Sequence, residues 1–167
     1  IDLLSLSAHK MYGPKGVGAL YVSMDTARRV EPLLFGGGQE RGMRPGTVAT
    51  HQVVGMGVAA RLAVERLAAD SAGIRLLRDE LWTRLGDLPG VLLNGHPTRR
   101  ACHILNVSVI GVEGESLLYG LRDLAVSAGS ACASGDGEPS AVLRCLGRSD
   151  ELARSSVRFS LGRGNTL

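Results

Sequence analysis

Ser7-Ala8-His9-Lys10-Met11-Tyr12-Gly13-Pro14-Lys15-Gly16 joins two short apolar runs, residues 3–7 and 17–22. Both runs are too short for an ordinary helix, and glycine brackets the second, so each reads as a strand. A lysine just past a strand end, among small residues and beside His9, sits where side chains project into a site. Desolvation or a neighbouring cation turns such an amine into a nucleophile toward carbonyl groups. A solvated lysine at a strand end is the competing reading. Lys15, inside a Gly-Pro-Lys-Gly turn, fits that plainer role better.

Outward from this turn, 167 residues suffice for one domain, or one small domain and part of another. Hydrophobic residues make up 44% and charged residues 21%, the balance of an ordinary globular chain. No run approaches the roughly 20 apolar residues of a membrane helix, and residues 1–7 lack the features of a secretory signal. The chain opens on Ile1 within an apolar run, so it is expected to be part of a longer protein. A formal charge of +3 is small, and aromatics are only 4%, which speaks against a nucleic-acid platform and for an anionic small molecule. Cys102, Cys132 and Cys145 are far apart and form no CxxC pair. That spacing argues against disulfides and a zinc site and for a reducing, cytoplasmic setting.

Between the second strand and the first helix, residues 35–47 hold five glycines and a proline. Gly36-Gly37-Gly38-Gln39-Glu40-Arg41-Gly42-Met43-Arg44-Pro45-Gly46-Thr47 can offer backbone N–H groups, arginines and a hydroxyl to an anion. It matches no nucleotide-loop pattern, and a plain flexible loop reads as well. A largely buried helix is expected over 51–69 and an amphipathic one from Ile74 to about Leu88. The charged join between them, Glu65 to Asp70, marks the start of a second part. There, strands at 91–93, 104–109, 126–127 and 156–161 alternate with helices at 115–124 and 139–146, an α/β or α+β arrangement. Cys145 falls on the last helix among apolar residues and reads as core, and Cys102 reads as structural. Cys132 lies instead in the small, polar run Ser127-Ala128-Gly129-Ser130-Ala131-Cys132-Ala133-Ser134-Gly135-Asp136-Gly137, where a thiol can reach a substrate as a sulfur carrier must. In Ser156-Val157-Arg158-Phe159-Ser160, alternation separates Arg158 from the apolar residues. An arginine fixed on a strand can fork onto a carboxylate, although a solvated edge arginine is equally consistent with this feature alone.

Taken in order, these segments resemble cysteine desulfurases of the NifS/IscS kind, pyridoxal-phosphate enzymes of the class-V aminotransferase superfamily. Residues 7–16 resemble the cofactor-lysine segment and Arg41–Thr47 the phosphate segment. Gly129-Ser130-Ala131-Cys132 with Glu138-Pro139-Ser140 resembles the catalytic-cysteine loop, in the longer form of the IscS-like group. Val157-Arg158-Phe159-Ser160-Leu161-Gly162 resembles the strand bearing the substrate arginine. The loop departs from the family wording at Ser134-Gly135-Asp136-Gly137, which adds an acid beside the thiol.

The resemblance implies a fold-type I homodimer. Residues 1–65 would end the large cofactor domain, with its mixed and mostly parallel sheet, and 66–167 would form a small α+β domain cut at its C-terminus. Lys10 would hold pyridoxal phosphate as a Schiff base and move the Cα proton, with His9 tuning it. Ser7 and His9 would contact the phosphate, and Thr47 the phosphate of the neighbouring subunit. Arg158 would bind the carboxylate of L-cysteine, and the Cys132 thiolate would take its sulfur as a persulfide, leaving alanine. The persulfide would pass to an iron–sulfur scaffold or a tRNA-thiolation protein, with no membrane or direct nucleic-acid contact. The family's ring-stacking histidine and pyridine-pairing aspartate would precede Ile1, so the chain by itself is expected to be inactive. A selenocysteine lyase, another class-V aminotransferase and a non-enzymatic sulfur-carrier module are the competing readings.

Borohydride reduction of the complete protein with its cofactor, followed by peptide mapping, is expected to label Lys10. Label on Lys15, or on neither lysine, contradicts the reading of the strand end.

Overall fold

The computed structural model describes residues 1–128 and 138–167. The chain divides into two units, residues 1–67 and 68–167, with the division inside one long helix.

In the first unit, β1 (Leu3–Ser7) pairs antiparallel with β2 (Gly18–Val22), Ser7 lying opposite Gly18. The expected mixed sheet is represented here by this antiparallel pair alone. Between the strands a 3-10 turn, Ala8–Met11, ends at Tyr12 in the left-handed region with φ 67°. A four-residue helix, α1 (Met24–Ala27), follows β2, and its Ser23 cap accepts from the Thr26 N–H. Within 35–47 the chain is irregular apart from a 3-10 turn at Gln39–Gly42.

Sequence patterning predicts two helices between 51 and 88, but the structure has one, α2 (Thr50–Gly86), 37 residues long. Gly73 sits in its interior. A single glycine costs a helix only about 1 kcal/mol relative to alanine, and no proline interrupts this stretch, so neither Gly73 nor the charged join breaks it. The expected burial of 51–69 is also corrected: Val53, Val54, Val58 and Leu67 are exposed in this chain, and Ala59 is the buried residue.

The second unit is built on an antiparallel sheet in the order β3 (Val91–Leu93), β4 (Ile104–Val109), β5 (Ser156–Ser160). Leu105, Val107 and Val157 are buried and share one face, Val107 standing opposite Val157. Burying a side chain of this size stabilises by about 2 kcal/mol. The opposite face is also buried but polar, with Ser108 and Ser156 in register. Three short helices frame the sheet: α3 (Gly114–Gly120), α4 (Ala141–Cys145) and α5 (Asp150–Arg154). Each starts on a side-chain cap, Glu113, Ser140 and Ser149 respectively, which satisfies amide groups the helix cannot. Leu143 of α4 and Ala153 of α5 are buried. The segment 126–127, expected as a strand, contributes a single bridge from Ser127 to Arg158. Among the described residues, no helix is long and apolar enough to cross a membrane.

Gly114 is where α3 meets the end of α5, because a Cβ there would stand 2.2 Å from the Arg154 carbonyl oxygen. Gly120, in the same helix, has open space at the corresponding point. In chemical denaturation, Gly114→Ala should cost about 2 kcal/mol by forced displacement. Gly120→Ala should be neutral or gain up to about 1 kcal/mol. Equal effects would contradict the close approach.

Candidate functional site

The turn carrying Lys10 is held by small residues. Ala8 is fully buried; its N–H donates to the Val17 carbonyl at 3.1 Å, and its carbonyl accepts from the Gly13 N–H at 2.9 Å. A Cβ on Gly13 would meet Ala8 O at 2.9 Å and Ala59 Cβ at 3.2 Å, so the turn lies directly on α2. One turn earlier along the helix, a Cβ on Gly55 would stand 3.1 Å from Pro14. Gln52 Nε2 donates to the Lys15 carbonyl at 3.0 Å. With Ala8 turned inward, His9 and Lys10 stand exposed, and Ser7 is exposed at the end of β1. None of the three side chains has a hydrogen bond or ion pair with a described residue. Ser7, His9 and Lys10 therefore present a hydroxyl, an imidazole and an amine within four residues.

Residues 40–42 all adopt positive φ: Glu40 50°, Arg41 61° and Gly42 79°. For the two non-glycine residues this costs about 1–2 kcal/mol each. Gly46 N–H donates to Gln39 Oε1 at 3.1 Å, and Arg44 Nη1 donates to the carbonyls of Pro45 and Gly46. Arg44 thus braces its own loop, which delivers Thr47 exposed immediately after Gly46, φ 97°.

In the second unit, Arg158 lies at the middle of β5, opposite Asn106 on β4. On its other side its N–H donates to the Ser127 carbonyl at 2.7 Å, and its carbonyl accepts from the Ser127 N–H at 3.3 Å. Its backbone is therefore fixed from both flanks, while Nε is buried without a hydrogen-bond partner among the described residues. A buried guanidinium N–H left unpaired is costly, and an anionic ligand would satisfy it.

Cys132 and its loop, residues 129–137, lie outside the described residues. The segment ends at Glu138, which pairs with Arg144 Nη2 at 3.3 Å. Arg144 also forks onto Asp150, Nε–Oδ1 2.7 Å and Nη2–Oδ2 2.9 Å, tying α4 to the start of α5. Cys145 is corrected from core to surface: it ends α4 with its side chain exposed, while Leu143 supplies the buried contact. Cys102 is half-buried. No group of acids, histidines and cysteines suited to a metal ion occurs among the described residues.

Sequence reading missed a buried polar ladder beside Arg158. Ser108 Oγ and Ser156 Oγ are 2.8 Å apart, Asn94 Nδ2 donates to Ser108 Oγ and to Asn106 Oδ1, and Arg148 Nε donates to Asn94 Oδ1 at 2.6 Å. The alternation Asn106-Val107-Ser108, read with Ser156-Val157-Arg158, was the available signal.

The family model described as "Aminotransferase class-V" matches residues 1–167. The chain belongs to the class-V aminotransferases. Within that family it is 59% identical over 166 residues to the Acinetobacter baumannii protein named cysteine desulfurase IscS, covering 99% of this chain and 41% of that protein. The X-ray structure of a NifS-like protein from Rickettsia africae matches with a TM-score of 0.85 at 28% identity, over 99% of this chain and 43% of that one. The structure of SspA in complex with cysteine matches with a TM-score of 0.71 at 34% identity, over 97% and 44%. This class-V aminotransferase chain spans about two-fifths of the length of the curated relatives it matches.

The Arg144 fork holds the Asp150 carboxyl below the usual aspartate range, mainly through its side-chain hydrogen bonds. A depressed folded-state value means that the fork's contribution is complete above the ordinary aspartate pKa of about 4 and is lost as pH falls through the lower folded value. An NMR titration should find Asp150 low, and Arg144→Gln should raise it. A normal value in the unaltered protein would contradict the fork.

Proposed function

We propose that the complete protein containing this chain is a cysteine desulfurase, taking sulfur from L-cysteine onto Cys132 and releasing alanine. The observation that carries this reading is the buried Nε of Arg158, without a partner among the described residues, on a strand fixed from both sides. It fits a carboxylate, and Cys132 follows in sequence five positions after Ser127, the residue that bridges Arg158. SspA, a structural relative, has been solved with cysteine bound.

The first unit fits pyridoxal phosphate by its donor set. Lys10 offers the amine for the aldehyde, Ser7 and His9 offer donors for the phosphate, and the Ala8–Gly13–Ala59 packing fixes the turn that presents them. When bound, the cofactor supplies an electron sink for charge developing at the substrate Cα. Lys10 Nζ would take the Cα proton of the substrate and return it during formation of alanine. His9, next in the turn, tunes that amine. Arg158 orients the substrate by its carboxylate, a forked and charge-assisted contact. The Cys132 thiolate attacks the substrate sulfur: the S–S bond forms as the Cβ–S bond breaks, Cys132 is left as a persulfide, and the pair left on the substrate carbon takes up a proton to make the methyl group of alanine. Thr47 would contact the phosphate of the cofactor held by the second subunit of a homodimer. The persulfide then passes to a sulfur acceptor in the cytoplasm, an iron–sulfur scaffold or a tRNA-thiolation protein.

Cys132→Ala in the complete protein should abolish persulfide formation and sulfur transfer, while the absorbance of the lysine-bound cofactor stays unchanged. The two roles are separable because the thiol acts on sulfur and not on the cofactor. Transfer that persists in this variant would contradict the assignment.

A further inference from the structure

Arg158 Nε is buried without a hydrogen-bond partner among the described residues, and the ladder beside it is polarised so that it offers none. The start of that ladder is Arg148, which can only donate. Its Nε donates to Asn94 Oδ1 at 2.6 Å and its Nη2 to the Leu93 carbonyl at 2.6 Å. With its oxygen committed, Asn94 turns its Nδ2 inward, donating to Ser108 Oγ at 2.8 Å and to Asn106 Oδ1 at 2.6 Å. Asn106 must in turn point its oxygen at Asn94. Its own amide N–H2 has no hydrogen bond with any described residue.

Asn106 and Arg158 are direct partners across the β4–β5 pairing, so their side chains share one face with Cβ atoms about 5 Å apart. The opposite amide orientation would turn the Asn106 oxygen away from Asn94 and leave an acceptor on the face that Arg158 shares. Arg148 forbids that orientation, since it would set two amide N–H2 groups against each other. A guanidinium and a carboxamide N–H2 are therefore both left as donors on this face, without an acceptor from the ladder among the described residues.

We infer that the Asn106 carboxamide is a second donor to the substrate carboxylate, oriented for that role by Arg148 through Asn94. This rests on the reading of Arg158 as the carboxylate-binding arginine. Arg158 supplies the charge, and Asn106 adds a hydrogen bond that only an acceptor-bearing ligand can use. The pair thereby selects an amino acid over the corresponding amine. Asn106 is a binding residue, and Asn94 and Arg148 are positioning residues. An aspartate at position 106 would accept from Asn94 as the asparagine does, but would present its second oxygen to Arg158 and occupy the site from within.

The test uses the complete protein with its cofactor and measures calorimetric affinity for L-alanine, the product, and for cysteamine, which lacks the carboxylate. Steady-state KM and kcat for L-cysteine are measured alongside. Asn106→Ala should weaken L-alanine binding about tenfold, as loss of one hydrogen bond to a charged group does, and raise KM with little change in kcat. Asn106→Asp should weaken it further, with cysteamine affinity unchanged in both variants. Unchanged L-alanine affinity in Asn106→Ala, where Arg158→Ala does lose it, would overturn the role of Asn106 and leave that of Arg158 standing. If Arg158→Ala itself leaves L-alanine affinity unchanged, the carboxylate reading fails and this inference fails with it. Equal losses for L-alanine and cysteamine would reduce Asn106 to a structural residue and also overturn the inference. Asn106→Asp is close to isosteric and keeps the acceptor for Asn94, so it provides the decision if the alanine variant does not fold.

Discussion

The hydrogen-bonded seam between β4 and β5 is the constraint on which the second unit depends. It sets Val107 against Val157 on the apolar face and Ser108 against Ser156 on the polar one, both buried. A buried polar face is stable only when its groups satisfy one another, since each unpaired group costs about 1–3 kcal/mol. Here the two serine hydroxyls and the Asn94 amide do so: Ser156 Oγ reaches the Leu152 carbonyl at 2.6 Å, Ser108 joins Ser156 to Asn94, and Arg148 closes the end. Within this satisfied surface the Arg158 Nε stands out as the buried side-chain atom left unpaired among the described residues. The strand and the Ser127 bridge hold its backbone so firmly that the imbalance resides in the side chain, where a ligand can use it.

The first unit meets a different constraint with similar economy. A lysine can be presented to a ligand only if the turn beneath it does not move. Ala8, Gly13 and Ala59 achieve this through close contact between atoms that no larger residue would permit. In the same unit, the left-handed run at Glu40, Arg41 and Gly42 shows backbone held in an unfavourable region by its surroundings, as is common at sites where geometry serves binding. Gln39 and Arg44 spend their side chains on that loop's own backbone, so its shape does not depend on a ligand for its internal hydrogen bonds.

Much of this was legible in the sequence, and what was not has physical reasons. The strands at 3–7, 91–93 and 104–109 follow from short apolar runs with breakers at their ends, and the structure places them there. Helix α2 was divided in two because a glycine and a cluster of charges resemble a boundary, whereas a continuous hydrogen-bonded backbone tolerates both. Cys145 looked like core by its apolar neighbours, yet a five-residue helix buries only one side, and Leu143 occupies it. The positions of Lys10 just past a strand and of Arg158 within one were recognisable because each follows a local rule, strand end or strand alternation. The polar ladder was not, because its members are spread from Asn94 to Ser156 and only the register of the sheet brings them together.

The central claim is that sulfur leaves L-cysteine and becomes bound to Cys132. A single turnover of the complete protein with one equivalent of L-cysteine, quenched with an alkylating agent and analysed by peptide mass, tests it most directly. The account predicts one added sulfur atom on the peptide containing Cys132, matched by one alanine released. Added sulfur on Cys102 or Cys145, or alanine formed with no sulfur bound to the protein, would contradict it.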